Sequence, residues 1–375
     1  MKNNFVPVNE PLIDGNEKKY LKECIDTGWI SSEGPFVKKF EEKFAKRMGR
    51  KHGIAVSNGT AAIDVSVEAL DIGPGDEVIL PTFTIISCIL QVVRCGATPV
   101  LVDSDPSTWN MNIENIERKI TSRTKAIIAV HIYGLPVDIN PVLEICKKYK
   151  IKLIEDAAEM IGQNYNGKPC GSFGNISTFS FYSNKHITTG EGGMILTDND
   201  MIAKRCRDLR NLCFIKGKRF LHKKFGWNYR MTNLQAAVGV AQLEQLDKFI
   251  KKKRLIGRTY NKLLKNISGI SLPTEFTSYA ENIYWVYGII LNDSLKISAE
   301  VVIKKMNKLG IGCRPFFYPM HKQPVLKKLG LFKNQTYPVA EKLYKKGFYI
   351  PSGLALTQKQ IILVINTLKK VLKKN

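Results

Sequence analysis

Between residues 50 and 200, short apolar runs alternate with segments in which apolar positions recur every three or four residues. The runs at 53–57, 77–80, 98–102, 126–131, 152–155, 177–181 and 194–197 read as strands. Segments such as 60–70 and 140–148 read as helices between them. Strands that are near-continuous Val/Ile/Leu and separated by helices are buried on both faces, which predicts an α/β domain around a mostly parallel sheet. After Met231-Thr232-Asn233 the pattern changes. From 234 to about 265 the three-to-four spacing runs into heavily basic text, which predicts one or two long helices. Strands are expected at 283–291 and near 312–317, each followed by Lys-rich helical text. The expected division is a large α/β domain over 1–240 and a smaller α+β lobe over 241–375, and a chain of 375 residues suits two such units.

Composition mainly excludes. The hydrophobic fraction of 44% is ordinary for a globular core. No stretch approaches the roughly 20 apolar residues that span a bilayer. The opening Met1-Lys2-Asn3-Asn4-Phe5-Val6-Pro7 lacks the apolar stretch of a signal peptide, so a cytoplasmic location without membrane attachment is expected. Eight cysteines without a C-x-x-C pair predict free thiols, and five scattered histidines predict no metal site. The net charge of +24 invites a nucleic-acid reading. Its lysines, however, come as pairs scattered through the whole chain rather than as one patch with aromatics between them. General surface charge is therefore expected, with the milder effect of drawing in a small anionic ligand.

Four motifs carry chemistry. Ser57-Asn58-Gly59-Thr60 closes a strand and opens a helix, where free N–H groups and the helix dipole favour an anion and Gly59 permits its close approach. Leu153-Ile154-Glu155-Asp156-Ala157-Ala158-Glu159 is an apolar strand ending in acids, at the strand end where open α/β sheets bind ligands. A carboxylate there could ligate a metal, activate a nucleophile or pair with a cationic ring nitrogen. The run Ser177 to Lys185, followed by Thr188-Thr189-Gly190-Glu191-Gly192-Gly193, sets a lysine after aromatics and hydroxyls and before a glycine-rich turn. Such an amine, held and partly desolvated, suits pyridoxal phosphate (PLP), with Ser180 placed to bond a phosphate. The fourth motif is Trp227-Asn228-Tyr229-Arg230-Met231-Thr232-Asn233, a polar cluster entering a helix.

The runs E-D-A-A-E, S-F-Y-S-N-K-H-I-T-T-G-E-G-G-M and Y-R-M-T-N-L-Q-A-A closely resemble the DegT/StrS-type nucleotide-sugar aminotransferases, PLP enzymes of fold type I. The resemblance runs from Val6-Pro7-Val8 through Pro315-Phe316-Phe317-Tyr318-Pro319. It implies that Lys185 is the Schiff-base lysine and that Asp156 pairs with the pyridinium nitrogen. It further implies that Ser180 and the Asn58-Gly59-Thr60 turn hold the phosphate, and that Glu159 stands beside the ring hydroxyl. Asn228 would reach the phosphate of a neighbouring subunit, which implies a homodimer with shared sites. Trp29, Ser31, Arg230, Arg314 and His321 are implied as lining for the sugar nucleotide. Where many relatives stack an aromatic residue on the ring, this chain has Ile85; either Ile85 packs there or Phe83 supplies the contact.

The resemblance implies amino transfer from glutamate to C4 of a nucleotide-linked 4-keto-6-deoxy sugar. The pieces V-P-V-N-E-P, D-T-G-W-I-S-S-E-G, H-I-Y-G and R-P-F-F-Y-P-M-H point to GDP-4-keto-6-deoxy-mannose. Alternatives within the family are a UDP- or dTDP-linked keto sugar, or attack at C3. The related sugar 3-dehydratases carry histidine in place of the lysine, and Lys185 argues against them. From another class, the basic charge alone suggests a non-catalytic nucleic-acid-binding protein on a PLP fold.

Overall fold

A computed structural model describes residues 5–215, 217–222 and 224–373. Its central sheet has seven strands in the order His52–Val56, Gly193–Thr197, Ile176–Ser180, Lys152–Asp156, Thr124–Val130, Glu77–Pro81, Thr98–Val102. From Ile176–Ser180 outward to Thr98–Val102 every pairing is parallel. Gly193–Thr197 is antiparallel to both neighbours. The expected mostly parallel sheet is present, with one reversal. A run of apolar residues reports burial on both faces but not strand direction.

Helices cover both faces. On one side Phe36, Phe40 and Phe44 of the helix Pro35–Arg47 join Phe179, Phe181 and Ala237 in one apolar cluster. On the other, Ile63 and Val67 of the helix Gly59–Ala69 and Ile89 and Val92 of the helix Ser87–Arg94 join Ile128 and Ile154. The helix Gly59–Ala69 is buried along most of its length, which fixes its N-terminus rigidly above the sheet.

The basic text after residue 233 forms two helices, Asn233–Glu244 and Leu246–Leu264. The first starts at a capping box between Thr232 and Gln235, which satisfies two otherwise orphaned N–H groups. Beyond them lies a four-stranded antiparallel sheet, Ile270–Ser271, Tyr287–Leu291, Gly347–Ile350, Arg314–Pro315. The helices Ala299–Lys308 and Gln358–Lys373 enclose its core around Tyr260, Tyr287 and Phe348. Two expected strands are shorter than read. Tyr284 takes a left-handed φ of 53°, and Ile283 N–H bonds to Gly134 O at 3.0 Å, so the strand starts only at Tyr287. Near 312–317 only Arg314–Pro315 pairs.

Candidate functional site

Three chain segments end at the same edge of the sheet. Lys152–Asp156 delivers Asp156, in register with Thr178 on the next strand, which itself ends at Ser180. His52–Val56 leads into Ser57 and the helix opening at Gly59. Asn58 caps that helix, its side-chain oxygen Oδ1 accepting from Ala61 N–H at 2.8 Å. A Cβ on Gly59 would stand 2.8 Å from the Ser180 Cβ, and one on Gly193 would stand 2.4 Å from the Asn58 carbonyl oxygen. Only glycine lets the helix start and the two strands close on one another in this way.

Above them lies a cavity of about 680 Å³, within the range of small-molecule sites. Asn58, Gly59, Thr60 and Ser180 form one end, and Asp156, Glu159 and Lys185 line the interior. Thr60 and Ser87 exchange a hydroxyl hydrogen bond of 2.7 Å at the first end.

The interior is electrostatically tuned. Asp156 is buried; one carboxylate oxygen accepts from Ala158 N–H at 3.0 Å and the other from the Cys88 thiol at 3.3 Å. Burial, and then the Asp156 charge, push the Cys88 thiol well above its ordinary range, so it stays a donor. Glu159 accepts from Tyr133 N–H at 2.6 Å. Its carboxyl is pushed up to about 8, chiefly by burial, while Lys185 and the Tyr133 N–H pull the other way. Burial lowers Lys185, against the pull of Glu159 and Asp156. A lysine so placed has more of the neutral, nucleophilic amine.

These residues fit PLP. The Thr178 hydroxyl and the Asn184 amide oxygen are buried, line the cavity and have no hydrogen-bond partner. The glycine-lined helix start suits a phosphate, and the buried carboxylate at the strand end suits a cationic ring nitrogen. Ile85 lines the cavity, whereas Phe83 packs away from it against Tyr133, Phe316 and Phe317. Of the two expected alternatives, Ile85 is the one that lines the cavity.

The other expected residues lie elsewhere. Trp29, Asn228 and Arg314 are exposed and do not line this cavity. Ser31 and Arg230 line a separate concavity, where Arg230 bonds the Asn211 side chain. His321 is buried, 2.9 Å from the Thr82 hydroxyl and 3.0 Å from the Glu341 carboxylate. Residues not anticipated do line the cavity: Asp64, Ser87, Trp285 and Tyr349. Tyr229 lines it too and sat inside a singled-out motif, but the others are isolated in the sequence and gave no local signal. Among the described residues no His/Cys/Asp/Glu group could hold a metal, and no helix is long and apolar enough to cross a membrane.

The model of the DegT/DnrJ/EryC1/StrS aminotransferase family matches residues 11–369. The chain is 41% identical to a GDP-perosamine synthase of Vibrio cholerae over 366 residues, covering 97% of this chain and 98% of that protein. It is 43% identical to a GDP-perosamine synthase of Caulobacter vibrioides over 368 residues, 98% of each. The PLP-form structure of Spr1654 from Streptococcus pneumoniae superposes with a TM-score of 0.91 at 25% identity, covering 99% of both chains. The fold, the cavity-lining lysine and buried acids, and these full-length matches agree: the chain belongs to the DegT/DnrJ/EryC1/StrS aminotransferase family, and is a PLP-dependent aminotransferase.

Proposed function

We propose that this enzyme moves an amino group from glutamate to C4 of GDP-4-keto-6-deoxy-mannose, giving GDP-perosamine for polysaccharide or O-antigen synthesis in the cytoplasm. The observation that carries this reading is the identity of 41% and 43% to two GDP-perosamine synthases over almost the whole of each chain.

Bound PLP supplies an electron sink and a carrier for the amino group between two half-reactions. Lys185 would hold the cofactor covalently, and its amine would move the proton at the reacting carbon. Burial lowers the basicity of this amine, which favours the neutral form that accepts a proton. Asp156, oriented by the Ala158 N–H and the Cys88 thiol, would keep the ring nitrogen protonated. Asn58, Gly59, Thr60 and Ser180 would hold the phosphate. Glu159, raised to about 8 by burial, would offer a hydrogen bond beside the ring hydroxyl. Ile85 would face the ring.

Asn228 is exposed and absent from its own chain's cavity, which supports a role toward the phosphate in a second subunit. The assembly is then a homodimer with isologous, shared sites. Trp29, Ser31, Arg230 and Arg314 would meet the sugar nucleotide only once that dimer is formed.

The test is a panel of GDP-, UDP- and dTDP-linked 4-keto-6-deoxy sugars with glutamate, read by mass spectrometry of the amino sugar. Amination of the GDP sugar at least about tenfold faster than the others, about 1.4 kcal/mol of discrimination, is expected. Preference for a UDP or dTDP sugar would overturn the substrate assignment.

A further inference from the structure

The Lys185 amine lies 3.9 Å from the centre of the Trp285 ring, the range of a cation–π contact. Trp285 is itself held on two sides. Its indole N–H donates to Asn184 O at 2.9 Å, the carbonyl immediately before Lys185, and the Asn9 amide donates to that same oxygen at 3.0 Å. From behind, the Lys253 amine donates to Trp285 O at 2.9 Å and to Ser352 O at 2.6 Å.

Lys253 makes this anchor unusual. It is 3% exposed, both its hydrogen bonds go to backbone carbonyls, and burial pushes it down to about 7. A buried amine with neutral partners is costly compared with an apolar side chain of similar size. What it achieves is a tie between the helix Leu246–Leu264, the backbone at Trp285 and that at Ser352, behind the ring that faces Lys185.

We propose that Trp285, anchored by Lys253, is a positioning residue: its ring is the surface on which the free amine of Lys185 rests between half-reactions, keeping it aimed at the reacting carbon. This rests on the reading of Lys185 as the PLP-anchoring and proton-carrying group. Without the ring, a freed lysine side chain has four rotatable bonds to explore, and productive alignment becomes rarer. Asp156, Glu159 and Cys88 also act on the Lys185 amine, and His186 beside it is buried with neither ring nitrogen bonded. Asp156, Glu159 and Cys88 act on the amine through charge, whereas the Trp285 ring offers it a face to rest on.

Two readouts test the idea. In the full-length, cofactor-stripped protein carrying ¹³C at lysine Cε, one Cε resonance should be shifted upfield by the indole ring current. It should vanish in Lys185→Arg and Trp285→Leu, and weaken in Lys253→Met. In the PLP-loaded enzyme, Trp285→Leu should lower kcat about tenfold through lost alignment of the amine, with KM for glutamate within about threefold. The isotope effect with glutamate deuterated at Cα should rise, and Trp285→Phe should recover most of the rate. A Lys185 resonance unmoved in Trp285→Leu, or a kcat within twofold of wild type, overturns the proposal even if Lys253→Met fails to fold. The resonance is read without substrate or cofactor, so its failure is distinct from failure of the aminotransfer reading, which only Lys185→Ala and the sugar panel address.

Discussion

Asp156, Glu159 and Lys185 meet inside one cavity of a single chain, whereas Trp29, Asn228 and Arg314 are exposed side chains that line no part of it. The first group sits at the end of a buried strand (Asp156) or in the turns that follow the strands (Glu159, Lys185), with partners such as Cys88 and Tyr133 contributed by the same core. The second group sits on loops and on the edge strand Arg314–Pro315. The difference teaches which roles the core can hold. The chemistry that must be held rigid is built into the α/β core, whereas the residues proposed to reach the sugar nucleotide (Trp29, Arg314) or a partner's phosphate (Asn228) lie at the surface.

The contrast can be broken most severely from the inside. Lys185→Ala should bring aminotransfer below detection with the fold intact by circular dichroism. Substantial residual turnover without added amine would remove Lys185 from the reaction. Asp156→Asn should cost at least about 100-fold in kcat, about 2.7 kcal/mol; a variant within about threefold of wild type would show that Asp156 plays no part at the ring nitrogen.

The outer group is tested by mixing. Co-expressed Lys185→Ala and Asn228→Ala chains should regain part of the wild-type rate, because one site of the mixed dimer holds an intact Lys185 and an intact Asn228. Mixed dimers no more active than the sum of the parents would confine each site to one chain.

Glu159 sharpens the inner half further. Its carboxyl is raised from the ordinary range to about 8, so between about pH 4.5 and 8 the folded state holds a proton that the unfolded state has released. Stability must then fall as pH rises through that window. In the cofactor-free protein, Tm should drop more between pH 6 and pH 9 for wild type than for Glu159→Gln, which keeps an acceptor for Tyr133 N–H. Equal drops would mean that Glu159 is already ionised.

The smallest effects separate two residues expected together. Arg314→Ala should raise KM for the sugar nucleotide by about three- to tenfold with Tm unchanged, a loss of roughly 1 kcal/mol of uniform binding. His321→Ala should do the reverse, lowering stability by about 1–3 kcal/mol because Thr82 and Glu341 lose a buried partner, with KM nearly unchanged. The opposite pairing of results would exchange their roles.

Much of the inner half was legible in the sequence. Asp156 and Lys185 sit in contiguous motifs whose strand and turn chemistry is local, and all seven apolar runs became strands of the one sheet. What escaped depends on contacts between distant segments. Trp285 reaches Lys185 across 100 residues, and Cys88 reaches Asp156 across 68, with nothing at either position to mark the pairing. The segment around Trp285 even read as strand, because Ile283 and Val286 are apolar. Its backbone instead turns at Tyr284 to meet Gly134. His321 looked available for a ligand because a histidine in a sequence carries no sign of its burial.

The most direct test of the central assignment is to reduce the PLP-loaded enzyme with borohydride, digest it, and locate the pyridoxyl group by mass spectrometry. The group is expected on the peptide containing Lys185 and on no other lysine; its recovery on a different lysine, or its absence from Lys185 in enzyme shown to be loaded, would contradict the assignment.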